Sequence, residues 1–361
     1  MRSIKLRAVP LGIGSLALAA ALWPAAAPAQ QQLVYANGYA KTHVQVGVIA
    51  DEWIKRIEDA TQGRVKIRHV AGGALLKPEN MLEGIRGRVA DIGSMVASFF
   101  PGQLPIAATL AGTVDVDLGN KIDMKGVTAI TMRLSEEFEP FNGEFHKLGV
   151  RPVYWVPTPP YGIIATKPIQ ALADFKGKKV RAFGPNLPKL LEAAGAAPLA
   201  LAFGEIYTSL QTGVIDGALT DPPAMVTGRF GEVAKHVVKT GPGDGALTAI
   251  APVVYFFNNE SWTKLSAQDQ AAVRKVSADM ILYGVETMIA SEKAALADLQ
   301  KQGVSVRHLF AADVATLAKT APDFLKIAED SINEKGLPGT AILKRYKELA
   351  ADYISGKWKP F

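Results

Sequence analysis

Apolar residues recur at Val46, Ile49, Trp53, Ile57 and Ala60, a spacing that predicts a helix from Lys41 to Thr61 stopped by Gly63. "RVKIRHV" then alternates apolar with polar positions, as a half-buried strand does. "GGALLKPENMLEGIRGRVADIGSM" reads as a loop, a helix starting near Pro78 and a short strand from Ala90. A helix between two strands implies βαβ units and a largely parallel sheet.

The same alternation returns after residue 160. "YGIIAT" predicts a strand, "LADFKGKKVRAF" a turn and a strand, and "PNLPKLLEAAGA" a helix begun by proline and ended by Gly195. "APLALAF" and "VIDGALTD" read as further strands, with the short helix of "GEIYTSLQTG" between them. Two α/β blocks joined by "YWVPTPPYG" predict two lobes, with the chain crossing near residues 156–160. Ser266 caps a periodic segment carrying Val273, Val276, Met280, Val285, Met288, Leu296 and Leu299, without proline before Gly303. Unbroken, it would be roughly 55 Å long and span both lobes. Two helices kinked at Gly284 are the alternative. "PDFLKIAEDSINEKG" and "GTAILKRYKELAADYI" read as surface helices. The expected lobes are 30–158 plus 247–290, and 159–246 plus 291–361.

The first 29 residues change the picture of location. Arg2, Lys5 and Arg7 precede an apolar run from Leu11 to Leu22, and Ala27-Pro28-Ala29 supplies small residues, the pattern of a secretory signal peptide cleaved after about Ala29. The expectation is an exported chain in which the formal charge of +6 falls to +3 on removal of those three basic residues. No Lys/Arg block of five or more is present, and no basic stretch is interleaved with aromatics, so no nucleic-acid partner is expected. The absence of cysteine excludes disulfides, thiolate metal sites and a cysteine nucleophile.

Motif chemistry is sparse. "GIGSLA" copies part of a dinucleotide fingerprint but lies in the signal segment and follows no strand. "GPGDG", residues 241–245, lacks the Gly-Lys-Ser/Thr ending of a phosphate loop and reads as a flexible connection. His43, His69, His146, His236 and His308 show no i, i+4 pair, so neither a metal nor a cofactor is expected. No G-x-S-x-G elbow is present, and no enzymatic activity is expected. One stretch stands out, "FKGKKVRAFGPN" at 175–186. Arg181 falls near the carboxyl end of a strand, where ligands collect in open α/β sheets, and its planar fork suits a carboxylate. Alternation also puts it beside Lys179, which is what a solvated basic face would show.

Residues 173–221, "ADFKGKKVRAFGPNLPKLLEAAGAAPLALAFGEIYTSLQTGVIDGALTD", resemble the signature region of the DctP-type substrate-binding proteins of tripartite ATP-independent periplasmic (TRAP) transporters. That family shows D-[LF]-K-G-x-K-[IV]-R, an A-x-G-A turn, F-x-E-[VI]-Y and L-Q-x-G-x-[VI]-D-G, and all four occur here in order. The resemblance implies an α/β, two-lobed Venus-flytrap protein with a long helix spanning both lobes, located in the periplasm. It would capture an organic acid and deliver it to the small and large membrane permease subunits of a TRAP transporter. It further implies that Arg181 pairs with the ligand carboxylate and that Phe203 lines the pocket, with Tyr207 in the same motif.

Departures from the family pattern narrow the expected solute. Tyr161 stands where sialic-acid binders carry a second arginine, and Thr220 or Asp221 stands where many members have asparagine. One cation fewer disfavours sialic acid and a dianionic dicarboxylate. A monocarboxylate with a hydroxyl, keto or aromatic portion fits better, a C4-dicarboxylate or service to a sensor being the alternatives. "SMVASFFPG" corresponds to a pocket loop of the first lobe, and Met95, Val96 and Phe99 there favour a ligand with an apolar body. Lys77 in "GGALLKPE" is a further candidate for positive charge near the cleft, or an exposed lysine.

Overall fold

The computed structural model describes residues 30–111, 122–184, 186–239 and 253–360. The expected signal peptide and the 241–245 connection lie outside the described residues. In chain order the strands are β1 (Gln31–Ala36), β2 (Val65–Val70), β3 (Ile92–Val96), β4 (Val150–Val156), β5 (Gly162–Ala165), β6 (Lys179–Ala182), β7 (Ala197–Ala200), β8 (Gly217–Thr220), β9 (His236–Lys239), β10 (Val253–Asn258) and β11 (Ser305–His308). The helices are α1 (Ile49–Ala60), α2 (Met81–Arg86), α3 (Pro105–Ala111), α4 (Met124–Glu137), α5 (Glu139–Lys147), α6 (Leu187–Ala193), α7 (Ile206–Thr212), α8 (Pro222–Thr227), α9 (Asn259–Thr263), α10 (Ala267–Lys301), α11 (Ala311–Thr320), α12 (Phe324–Asn333) and α13 (Gly339–Ile354).

These elements make two lobes, each built on one sheet. The first sheet has the order β2-β1-β3-β10-β4 and the second β11-β9-β5-β8-β6-β7. Neither is as parallel as the βαβ reading expects. β1 runs parallel to β2 and β3, but β10 pairs antiparallel to both β3 and β4. In the second sheet β6 is parallel to β7 and β8, whereas β5 is antiparallel to β8 and β9. The cause is the crossing. β10 returns to the first sheet from the other lobe and β5 enters the second sheet from the first lobe, each against the local strand direction.

Both faces of the first sheet are covered, by two separate apolar cores. A column of aromatic rings runs across one of those faces. Tyr255 of β10 stacks on Tyr35 of β1 and on Tyr154 of β4, with ring centres 5.7 and 4.4 Å away. Stacked ring pairs of this kind contribute beyond the area they bury. The second sheet is likewise sandwiched between two cores.

The chain passes directly between lobes from β4 to β5. The α10 helix connects them independently, packing on α1 and β4 at one end and on α8 and β11 at the other. Ser266 caps it by accepting from the Asp269 backbone N–H, and it runs 35 residues without a break, so the alternative of two helices kinked at Gly284 is not realised. Trp53 of α1 donates its indole N–H to Ser277 of α10 at 3.0 Å, which fixes the helix against the first lobe.

One expectation about domain membership is corrected. Residues 291–361 do not stay in the second lobe: α11 packs there together with Phe324 at the start of α12, while the rest of α12 and α13 return to the first, placing Ala328, Ile332, Ile342, Leu343, Leu349 and Ala350 in its core. α13 packs against α12 and α4. Its apolar stripe reads as amphipathic in the sequence, and nothing in that stripe encodes which lobe it covers.

Candidate functional site

The carboxyl ends of the parallel strands of both sheets converge on one cavity between the lobes. Its wall includes Met95, Val96, Phe99, Tyr161, Arg181, Phe203, Thr220 and Asp221, which are eight of the nine residues expected from the sequence. Tyr207 is the exception and is corrected here. It sits in the first turn of α7, with its hydroxyl donating to Glu232 at 3.0 Å on the outer surface of the second lobe. Lys77 is exposed and stands outside the cavity wall.

Arg181 is the third residue of β6, between β7 and β8. Its side chain is 3% exposed, whereas Lys179, on the same face two residues earlier, is exposed. The shared face is therefore solvated at one end of the strand and buried at the other. Nε donates to Leu201 O at 3.1 Å and Nη1 to Leu219 O at 3.4 Å. The guanidinium carbon lies 4.7 Å from the centre of the Phe183 ring. A guanidinium has five N–H groups, so three remain directed elsewhere. No carboxylate among the described residues forms an ion pair with it. Burial pulls its affinity for a proton below the ordinary arginine value, opposed by Tyr39 and Tyr161. A buried cation of this kind, held by neutral carbonyls alone, stabilises an anion brought to it.

The other second-lobe groups surround that fork. Tyr161 is buried just before β5 and shares a hydrogen bond with Thr158; burial pushes its phenol well above the ordinary value. Thr220 ends β8, and Asp221 caps α8 by accepting from Ala224 N at 3.0 Å. Asp221 is 8% exposed, and burial above all raises its carboxyl to about 6, with Glu292 adding to the rise and Lys239 opposing it.

The first lobe contributes the facing wall, and the two walls touch. Phe99 meets Phe183 edge to face with ring centres 5.1 Å apart, and Tyr39 meets Phe203 in the same manner at 5.6 Å. Gly184, turning at φ +73° after β6, lies against Ser98; a Cβ on it would stand 3.6 Å from the Ser98 Cβ. A left-handed turn of this kind is the conformation glycine adopts without steric cost. The lobes are therefore closed over the cavity.

The sequence does not single out Tyr39, His43, Gln45, Ser94, Thr158 or Phe183, all of which line it. Tyr39 and His43 follow β1, a strand whose apolar alternation precedes the first predicted helix. Phe183 was findable, since it lies two residues beyond Arg181, just past the end of β6, and its ring stands against the guanidinium. Gln45 acts on the crossing: its amide donates to Pro157 O at 2.7 Å and to the Thr158 hydroxyl at 3.1 Å. His43 is 6% exposed, and burial lowers its imidazole to about 4, so the ring is neutral near pH 7.

The cavity thus presents one buried cation among apolar rings. Residues 129–329 match the family model described as bacterial extracellular solute-binding protein, family 7, over more than half of the chain. The chain belongs to this DctP family. A solute-binding protein of Roseobacter denitrificans is 26% identical over 334 residues, covering 90% of this chain and 98% of the relative. Two solved structures share the fold. One is a marine metagenome TRAP solute-binding protein specific for aromatic acid ligands, crystallised with 3-hydroxybenzoate, with a TM-score of 0.80 and 19% identity, covering 90% of this chain and 99% of that one. The other is a TRAP periplasmic solute-binding protein of Bordetella bronchiseptica with bound mandelate, with a TM-score of 0.78 and 21% identity, covering 89% and 99%. The family is one of extracytoplasmic solute receptors, and no helix among the described residues of this member is long and apolar enough to cross a membrane. Nor do the described residues contain a cluster of three His, Asp or Glu side chains able to hold a metal ion.

Proposed function

We propose that this protein captures an organic monocarboxylate with an aromatic or similarly apolar body between its lobes, and that it hands the acid to the small and large permease subunits of a TRAP transporter. The observation that carries the reading is Arg181: a buried fork with three N–H groups free of described partners, at the carboxyl end of a central strand. The ligand carboxylate would accept from it in parallel, and Tyr39 and Tyr161 flank the same position. Phe99, Phe183, Phe203, Met95 and Val96 supply the surface against which a ring is desolvated. The aromatic acid and mandelate bound by the two structural neighbours belong to this chemical class.

A C4-dicarboxylate fits less well, because Arg181 is the cationic side chain among the described lining residues and a second carboxylate would meet apolar rings, neutral hydroxyls or Asp221. Closure follows from differential contact: the bound acid stabilises the closed arrangement only by what it touches there and not in the open one.

The test is a thermal-shift panel on the purified chain with dicarboxylates, 2-keto and 2-hydroxy acids, aromatic acids and sugar acids. A ligand confined to the folded state raises the melting temperature. A rise confined to monocarboxylates with apolar bodies is the expected result. A rise with succinate or malate alone, or with no acid at all, would overturn the reading.

A further inference from the structure

We infer that His43 recognises a hydroxyl or carbonyl group at the end of the ligand remote from its carboxylate, so that the preferred solute is an aromatic or alicyclic monocarboxylate with a polar substituent on the far side of its ring. The inference rests on the reading of the cleft as an organic-acid site and narrows it. It begins with the polar atoms of the first-lobe wall. The Gln45 amide nitrogen is engaged by the crossing segment, and the Ser94 hydroxyl is bonded to Tyr35 at 2.6 Å. Beside the Gln45 amide oxygen, that leaves Tyr39 and His43. The His43 ring makes no hydrogen bond to the described residues, and its Nδ1 is buried without a partner.

The two residues differ in their surroundings. Tyr39 interacts electrostatically with Arg181, whereas His43 is perturbed by burial alone. The Tyr39 ring lies 4.9 Å from the His43 ring and 5.6 Å from Phe203. Tyr39 thus stands between His43 of the first lobe and Phe203 of the second, and the charge of Arg181 reaches its phenol and not the His43 ring.

The chemistry of the distal group follows from the imidazole. Lowered to about 4, it carries no charge near neutral pH, so it offers one N–H donor and one nitrogen acceptor. A hydroxyl can engage either nitrogen and a carbonyl can accept from the donor, while a second carboxylate would meet no cation. An acid lacking the distal group leaves the imidazole nitrogen unpaired in a dry site, and a site built around such a bond discriminates strongly against that analogue.

Isothermal titration of the wild type and of the His43→Phe and His43→Leu variants separates the possibilities. The probes are benzoate, 3- and 4-hydroxybenzoate, phenylacetate and mandelate. The wild type should bind one hydroxybenzoate about tenfold or more tightly than benzoate. Both variants should lose that preference while holding benzoate within about threefold. The ratio of mandelate to phenylacetate should not move, because that hydroxyl adjoins the carboxylate; a purely structural His43 would weaken every acid alike. Persistence of the ring-hydroxyl preference in a folded variant, or its absence in the wild type, overturns the inference and leaves the organic-acid reading standing. Should neither variant fold, the wild-type ratio alone decides. Failure of the wild type to bind any of the five acids overturns both.

Discussion

The ammonium of Lys239 meets the carboxylate of Glu292 in a buried ion pair that ties together the connections between the lobes. Lys239 ends β9, at the edge of the second crossing; its Nζ also donates to Pro160 O, at 3.2 Å, in the first crossing; Glu292 lies on α10. Removing one partner strands the other charge out of water, which costs about 3–5 kcal/mol, whereas replacing both by apolar groups is often close to neutral. Lys239→Met should therefore lower the melting temperature by roughly 5–10 °C, and Lys239→Met with Glu292→Leu should recover most of that loss. Calorimetric melting of the two variants checks it. Equal destabilisation by the single and the double change would mean that the pair is not what holds the crossings together.

Arg181 is expected to carry affinity more than stability. A charge-assisted pair contributes on the order of 1.5–3 kcal/mol net, so Arg181→Ala should weaken binding of the cognate acid by roughly tenfold to a hundredfold or more. Arg181→Lys keeps the charge but loses the fork, and should fall between the two. Titration calorimetry on variants with unaltered circular dichroism is the measurement. Wild-type affinity in Arg181→Ala would remove the carboxylate from this position.

How much of this was legible in the sequence depended on whether the signal was local. The β6 strand, the arginine near its end, the turn at Gly184 and the cap at Ser266 are written in neighbouring residues, and each is where the pattern predicts it. Burial was less legible. Lys179 and Arg181 share a strand face, and only the packing of β7 and β8 against β6 makes one exposed and the other buried. Tyr207 was misplaced for a related reason: motif proximity to Phe203 does not fix the side of α7 from which it projects. Strand direction was not legible at all, because β10 is a continuous apolar run that reads alike whichever way it enters a sheet. The return of α12 and α13 to the first lobe is a long-range choice of the same kind.

Asp221 should make binding depend on pH. Its folded carboxyl is raised to about 6 from 3.8, so the folded chain holds the proton more tightly than the unfolded chain. That contribution to stability is present at acid pH and is lost as pH rises through about 6. The groups that bear on it are the backbone N–H groups of Ala224 and of Asp221 itself, which lower it, Glu292, which raises it, Lys239, which lowers it, and the neutral phenols of Tyr39 and Tyr161. An anionic ligand in the same cavity must favour the protonated form further, so binding takes up a proton. Affinity should rise by about threefold to tenfold between pH 7.5 and 5.5, a window in which His43, lowered to about 4, stays neutral. Asp221→Asn keeps a capping side chain for α8 and should flatten that dependence. Titrations across this range in two buffers of different protonation enthalpy test it, and a flat wild-type profile without proton uptake would count against it.

The last prediction concerns where closure does not bend the molecule. Gly284 lies in the middle of α10, and a glycine within a helix costs about 0.5–1 kcal/mol relative to alanine. It is buried against the crossing strand, yet a Cβ placed on it would meet the Val156 methyls at 3.6 and 3.7 Å, ordinary contact distances. Gly284→Ala should therefore fit without displacing β4 and raise the melting temperature by about 1–3 °C. Because α10 runs unbroken through this position while the lobes are closed, the same substitution should leave the rates of ligand association and dissociation unchanged. Stopped-flow binding distinguishes the cases. A stabilised variant that closes more slowly would place a flexing point at Gly284, and α10 would then be part of the hinge and not the strut about which the two sheets move.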